Sequence, residues 1–229
     1  MSIQIGRQRG NAMNLQSSKK TIFSFLKDKN FLSTANKRIF VQDCGFYLIV
    51  VEIVPLRKEG FFLNVGVKFL WTAYFDISYD YSNSDIRINV PNNPLGAVLF
   101  DSPSVDYEIE YIMREAQDRI VEYQGMKDFN TFRLKIENRN DFAKKANPNL
   151  KKVDVSLAIT KMFSGETLNS LEILHEAAQN NEVAQELLLH CDDLALFHDG
   201  LINIINSCRS VMSTKFKLIL NPISVLWSY

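Results

Sequence analysis

The sequence has no surplus of charge in either sign: 26 Lys plus Arg balance 26 Asp plus Glu over 229 residues. A dedicated nucleic-acid binder carries a basic excess, so nucleic acid is not expected as a partner. Its three cysteines, Cys44, Cys191 and Cys208, form no disulfide framework, zinc knuckle or CxxC redox pair, and are read as reduced thiols. Nine glycines and six prolines are a low count, which argues against a loop-rich or low-complexity chain. No apolar run approaches the roughly 18 residues needed to cross a bilayer. Arg7 and Arg9 lead into no apolar core, so no secretory signal is read and the expected location is the cytoplasm. There is no Walker loop, no Gly-x-Gly-x-x-Gly and no Gly-x-Ser-x-Gly elbow, so no cofactor is expected from motif.

What is present is a generous apolar load. Hydrophobic residues make up 46% of the chain, with 16 Phe and 8 Tyr, enough for a sizeable core without staples. The strongest pattern lies between Phe46 and Trp71. Phe46 to Val54 is nearly unbroken apolar sequence, rich in β-branched and aromatic residues. After the turn-like Arg57-Lys58-Glu59-Gly60, residues Phe61, Leu63, Val65, Val67, Phe69 and Trp71 alternate with a mixed set. This predicts two adjacent strands with one face against a core. Arg38 to Asp43 predicts a strand before them, and Ile86 to Val90 one after them. Trp71 to Tyr81 could continue extended.

Beyond Pro91-Asn92-Asn93-Pro94 the strand signals give way to helices. Ser102-Pro103 reads as a cap and first helical residue, and Val105, Ile109, Ile112, Met113, Ala116, Ile120 and Tyr123 make a helical stripe closed by Gly125. Further helices are predicted over Phe132–Ala146, Val153–Met162, from Thr167, from Asn181 through Leu189, and along the stripe from Leu194 to Met212. A short helix carries Ile22, Phe23 and Leu26, and Phe216 to Leu220 reads as an edge strand. Strands first and helices later predict an α+β fold. Its amino-terminal antiparallel sheet has about four or five strands covered by helices, and an all-helical part follows. Residues 1–16 are expected to be a disordered arm, 17–146 an α+β domain and 150–229 a helical region packed on it, or 17–229 a single domain. Asn147-Pro148-Asn149 marks the seam.

Phe25-Leu26-Lys27, Asn30-Phe31, Phe40, Val50 to Ile53 and Phe62-Leu63-Asn64-Val65-Gly66-Val67 succeed one another as short helix, break, strand, long apolar strand and an Asn-x-Gly strand. Over roughly Ile22 to Val90 this order resembles domain of unknown function 4304, a family of uncharacterised bacterial proteins. The resemblance implies no activity, because that family has no assigned chemistry.

Chemistry-bearing residues are few. His190-Cys191-Asp192-Asp193 with His198-Asp199 are metal-ligating types, but an Asp there also suits a helix N-cap, and no metal is expected. His175 lies near Glu172 and Glu176 without a nucleophile beside it. Lys144, Lys145, Lys151 and Lys152 read as a solvated linker, and Gly66 inside a strand as a close backbone approach. The stretch from Tyr74 to Asp85 is the most suggestive. Tyr74, Asp76, Tyr79, Asp80, Tyr81 and Asp85 combine aromatic area with carboxylates that would steer a basic partner. Its structural alternative is a strand and loop with the rings packed inward. The resulting expectation is a non-enzymatic protein-interaction module, for instance an immunity-type protein that binds a basic partner. A hydrolase-like enzyme would instead need His175, His190 and His198 to converge with carboxylates.

Overall fold

The structure is a computed structural model that describes residues 15–57, 59–72, 77, 79–82, 86–91, 93–146 and 154–227. Four strands follow the first helix α1 (Leu15–Lys27): β1 (Leu32–Ser33), β2 (Ile39–Asp43), β3 (Tyr47–Leu56) and β4 (Gly60–Phe69). Two short strands, β5 (Arg87–Ile88) and β6 (Val98–Leu99), complete the sheet. Among the described residues six helices follow, α2 (Val105–Gln124), α3 (Phe129–Ala146), α4 (Val155–Phe163), α5 (Thr167–Ala177), α6 (Glu182–Leu188) and α7 (Leu194–Phe216), and then an irregular tail. The fold is α+β, as the segregation of strand and helix signals predicts.

The sheet is antiparallel throughout, in the order β1-β2-β3-β4-β5, with β6 pairing the start of β4. The β3–β4 hairpin is its centre, pairing Tyr47 with Phe69 at one end and Leu56 with Gly60 at the other. One face carries Tyr47, Ile49, Val51, Ile53, Leu63, Val65, Val67 and Phe69, all buried. It packs on α1, α2 and α3: Phe40 meets Phe23 edge-on at 4.6 Å, Tyr47 Oη donates to the Tyr123 carbonyl at 2.7 Å, and Phe69 meets Phe132 at 5.8 Å. The opposite face is polar along β4, where Asn64, Gly66 and Lys68 recur at every second position. Helix α7 reaches this side. Arg209, 2% exposed, donates to both carboxylate oxygens of Asp43 at the end of β2, to the Gly45 carbonyl and to the Asn221 carbonyl.

Rings close one end of the sheet. Phe46, Trp71, Phe132 and Trp227 pack together, with Phe46 and Trp227 at 4.9 Å, and Trp227 also touches Phe129 and Phe163 at 5.0 Å. Trp71 donates through Nε1 to Ser156 Oγ at 3.2 Å, tying the sheet to α4.

Several local expectations need correction. Leu15 and Gln16 belong to α1 rather than to an arm; residues 1–14 lie outside the described residues. Leu70 and Trp71 turn instead of extending β4, and Tyr81 returns to form a single antiparallel bridge with Val67. The N-cap of α2 is Ser104, not Ser102, and it makes no side-chain capping bond: its hydroxyl, like that of Ser102, donates to the buried Glu108 carboxylate. Phe216 to Leu220 is not a strand: α7 continues through Phe216 and ends at Lys217 in the left-handed conformation, φ 55°. The Asn147-Pro148-Asn149 seam also lies outside the described residues.

Candidate functional site

Of the six residues singled out in the acidic aromatic stretch, Tyr74, Asp76 and Asp85 lie outside the described residues. The other three turn inward. Tyr79 crosses the bare backbone of Gly66, where an added Cβ would come within 2.5 Å of its Cδ1, and donates through Oη to Glu52 Oε2 at 3.2 Å. Asn64 Nδ2 donates to the same oxygen at 3.3 Å. Burial raises the Tyr79 hydroxyl far above its ordinary value, and the neighbouring Glu52 charge adds to the rise. Asp80 Oδ2 accepts from the Phe69 amide at 2.8 Å and from Thr72 Oγ1 at 3.1 Å, and lies 3.4 Å from the fully buried Lys68 ammonium. Its carboxyl is pushed up because burial outweighs the pull of Lys68 and these donors. Tyr81 is 6% exposed, edge-on to Tyr123 at 6.1 Å. Tyr79 and Asp80 thus cover the polar face of β4, whereas Tyr81 lies on the opposite, α2 and α3 side of the sheet with Phe69 and Tyr123.

The residues of metal-ligating and catalytic type do not assemble either. His175 is exposed on α5. His190 packs over Gly200, with Nε2 3.6 Å from Glu186, while His198 Nδ1 sits 3.2 Å from Asp199. Asp193 caps α7, accepting from the amides of Ala195 and Leu196. No group of three or more His, Cys, Asp or Glu that could hold a metal occurs among the described residues. Burial pushes the Cys44 and Cys208 thiols up to about 11, which leaves them protonated and poor nucleophiles at neutral pH. No described helix is long and apolar enough to cross a membrane.

Open recesses among the described residues include one of about 810 Å³ lined by Tyr81, Glu122, Lys135, Arg139 and Phe142, and a more apolar groove of about 500 Å³ between α1 and α2. Helical spacing builds it. On α1, Ile22 and Leu26 face the sheet while Thr21 and Phe25 line the groove. On α2, Ile112, Ala116 and Ile120 are buried, and Ile109 and Met113, one turn apart, form the apolar floor. Asp106 and Glu110 stand at one end of its rim, and Arg114 and Gln117 at the other. Neither Asp106 nor Glu110 is in an ion pair among the described residues. Among the described residues, the groove is lined by no histidine or cysteine. It can bury a row of apolar side chains and pair cations at its acidic end. In the sequence, Ile109 and Met113 are indistinguishable from the core stripe of α2. The exposed Asp106 and Glu110 one turn apart were the available signal.

Neither family models, nor curated proteins, nor solved structures yield a match to this chain.

Proposed function

We propose that this protein is a cytosolic, non-enzymatic interaction module that binds a basic protein partner in the α1–α2 groove. The observation that carries this reading is the groove itself: an apolar floor of Phe25, Ile109 and Met113 beside Asp106 and Glu110. The floor suits an apolar segment, and the two carboxylates suit lysines or arginines beside it. The scattered histidines and protonated thiols support a binding role over a catalytic one.

The test is charge reversal. The partner retained by the native chain in its host is identified, purified and titrated against wild type and against Asp106→Lys/Glu110→Lys. Both positions are exposed, so the variant should fold, with a loss of no more than about 1 kcal/mol from the cation that Asp106→Lys places in the first turn of α2. The expected result is a basic partner whose affinity falls by about tenfold or more in the variant and weakens with salt. A partner held equally by the variant, an acidic partner, or no stoichiometric partner would overturn the reading.

A further inference from the structure

The residues before α1 match the α1–α2 groove in charge and in the order of their side chains. The chain has no Asp or Glu before Asp28, whereas Arg7 and Arg9 stand ahead of Leu15, the first residue of α1. Residues 1–14 lie outside the described residues, so what bears on the groove is their sequence. Ile3, Ile5, Arg7 and Arg9 recur at every second position, with Gly6 between the apolar pair and the basic pair. In an extended segment all four share one face, and neighbours on that face are about 7 Å apart. On α2, Asp106 and Glu110 are one turn apart, which sets about 5–6 Å between their Cβ atoms, and Met113 follows on the groove floor. Taken backwards from Arg9, two basic residues and then an apolar one thus meet two acidic residues and then an apolar one. The connection also reaches. Thr21 and Phe25, the α1 side of the groove, lie about 9 and 15 Å along α1 from Leu15. Gly10 to Asn14 bridge up to about 20 Å between Arg9 and Leu15.

We infer that residues 3–9 seat in the α1–α2 groove of their own chain as an extended segment running antiparallel to α2. Arg9 pairs with Asp106, Arg7 with Glu110, and Ile5 covers Met113 beside Phe25. The opposite direction would set an arginine beside Arg114 or carry Ile5 off the apolar floor. A covalent link this short supplies an effective concentration on the order of 1 mM, so a seat that would hold the separate peptide only at a millimolar Kd is about half filled. The inference rests on the proposed reading of the groove as a site for basic sequence and adds its regulation: an incoming basic partner must displace this segment.

The full chain is prepared with isotope-labelled Ile δ1 and Met ε methyl groups, and methyl–methyl NOEs are recorded at low salt with no partner added. The expected result is an NOE joining Ile5 to Met113. It should be lost in Arg7→Glu/Arg9→Glu and restored when that variant also carries Asp106→Arg/Glu110→Arg. An equal mixture of chains labelled only at Ile and chains labelled only at Met should not show it. The inference falls if Ile5 gives no NOE to Met113, if the NOE survives the charge reversal, or if the exchanged charges fail to restore it. It falls equally if the mixed sample shows the NOE, which would give the groove to a second copy. A chain that shows the NOE but retains no basic partner overturns only the reading of the groove as a partner site. One that binds a basic partner without the NOE overturns only the seat of its own segment.

Discussion

Gly66→Ala should destabilise the protein, and the loss should depend on Tyr79. A Cβ at position 66 would lie 2.5 Å from Tyr79 Cδ1 and 3.1 Å from the Tyr81 carbonyl oxygen. Carbon atoms in contact sit about 3.5–4.0 Å apart, so the ring must retreat by roughly 1 Å. It cannot do so freely. Tyr79 Oη is bonded to Glu52, and the amides of Asp80 and Tyr81 both donate to the Val67 carbonyl, at 2.8 and 3.1 Å. Overpacking of this kind costs about 1–3 kcal/mol. Alanine in a strand returns about 0.5–1 kcal/mol relative to glycine. The net expectation is a loss of about 1–2 kcal/mol in wild type. In a Tyr79→Ala background only the 3.1 Å approach to the Tyr81 carbonyl oxygen remains, so most of the cost of Gly66→Ala should disappear, a coupling of about 1–2 kcal/mol. Tyr79→Phe keeps the ring and should keep the loss. Urea unfolding of the four proteins of the cycle, with the Tyr79→Phe pair as control, measures this directly. An equal cost of Gly66→Ala with and without the Tyr79 ring would refute the close approach as the reason for glycine here.

Two further outcomes follow from buried groups. Folded-state ionisation of Cys44 and Cys208 moves from 9.0 up to about 11, so between those values the unfolded chain has released protons that the folded chain retains. Stability should therefore be unaffected by these thiols below pH 9 and should fall as pH rises from 9 toward 11, with the Cys44→Ala/Cys208→Ala variant showing a shallower decline in pH-dependent urea melts. Arg209→Lys should cost about 2–4 kcal/mol, because one ammonium cannot serve the Asp43 carboxylate and the carbonyls of Gly45 and Asn221 together. A loss below about 0.5 kcal/mol, the size of an ordinary surface change, would show that the clamp carries no stability.

How far the chain was legible follows from the length of each pattern. The β3–β4 hairpin was readable from a continuous β-branched apolar run in β3 and ten alternating residues in β4, and α2 from twenty residues of one helical period. The strands β1 and β6 have two residues apiece and therefore no period to detect. Ile86 to Val90 alternates over five positions, yet only Arg87 and Ile88 are assigned as strand, since the Val90 amide turns away to the Gly96 carbonyl. The tail misled for a related reason. Leu218 and Leu220 are both buried, so their alternation is real, but the backbone there bonds to α7: Leu220 to Ser213 Oγ, and Ile223 to Asn206 through both its amide and its carbonyl. Periodicity reports which side chains are covered, not what covers them. The groove was illegible for the same reason, because Ile109 and Met113 continue a stripe whose neighbours Ile112 and Ala116 are true core. Asn181 and Asp193, by contrast, were readable as caps because a short side-chain acceptor before a helix has a local job.

The inward turn of Tyr79 to Tyr81 has a physical cause that also shapes where binding can occur. Asn64 is 7% exposed and Lys68 fully buried, and both stand on one face of the central strand. A buried ammonium and a buried amide need polar partners at the same depth. Helix α7 brings mainly apolar side chains to its packed side, with Leu201, Ile205 and Met212 all buried. The partners must then come from the segment after β4, which supplies Asp80 to Lys68 and the Tyr79 hydroxyl to the Glu52 carboxylate that Asn64 already bonds. Carboxylates and rings that composition alone would assign to a partner are thereby consumed in closing the sheet. Among the described residues, acidic side chains that line open recesses and make no ion pair include Asp106 and Glu110 on α2. The proposed recognition of a basic partner is therefore assigned to the helical layers, with the sheet holding them in place.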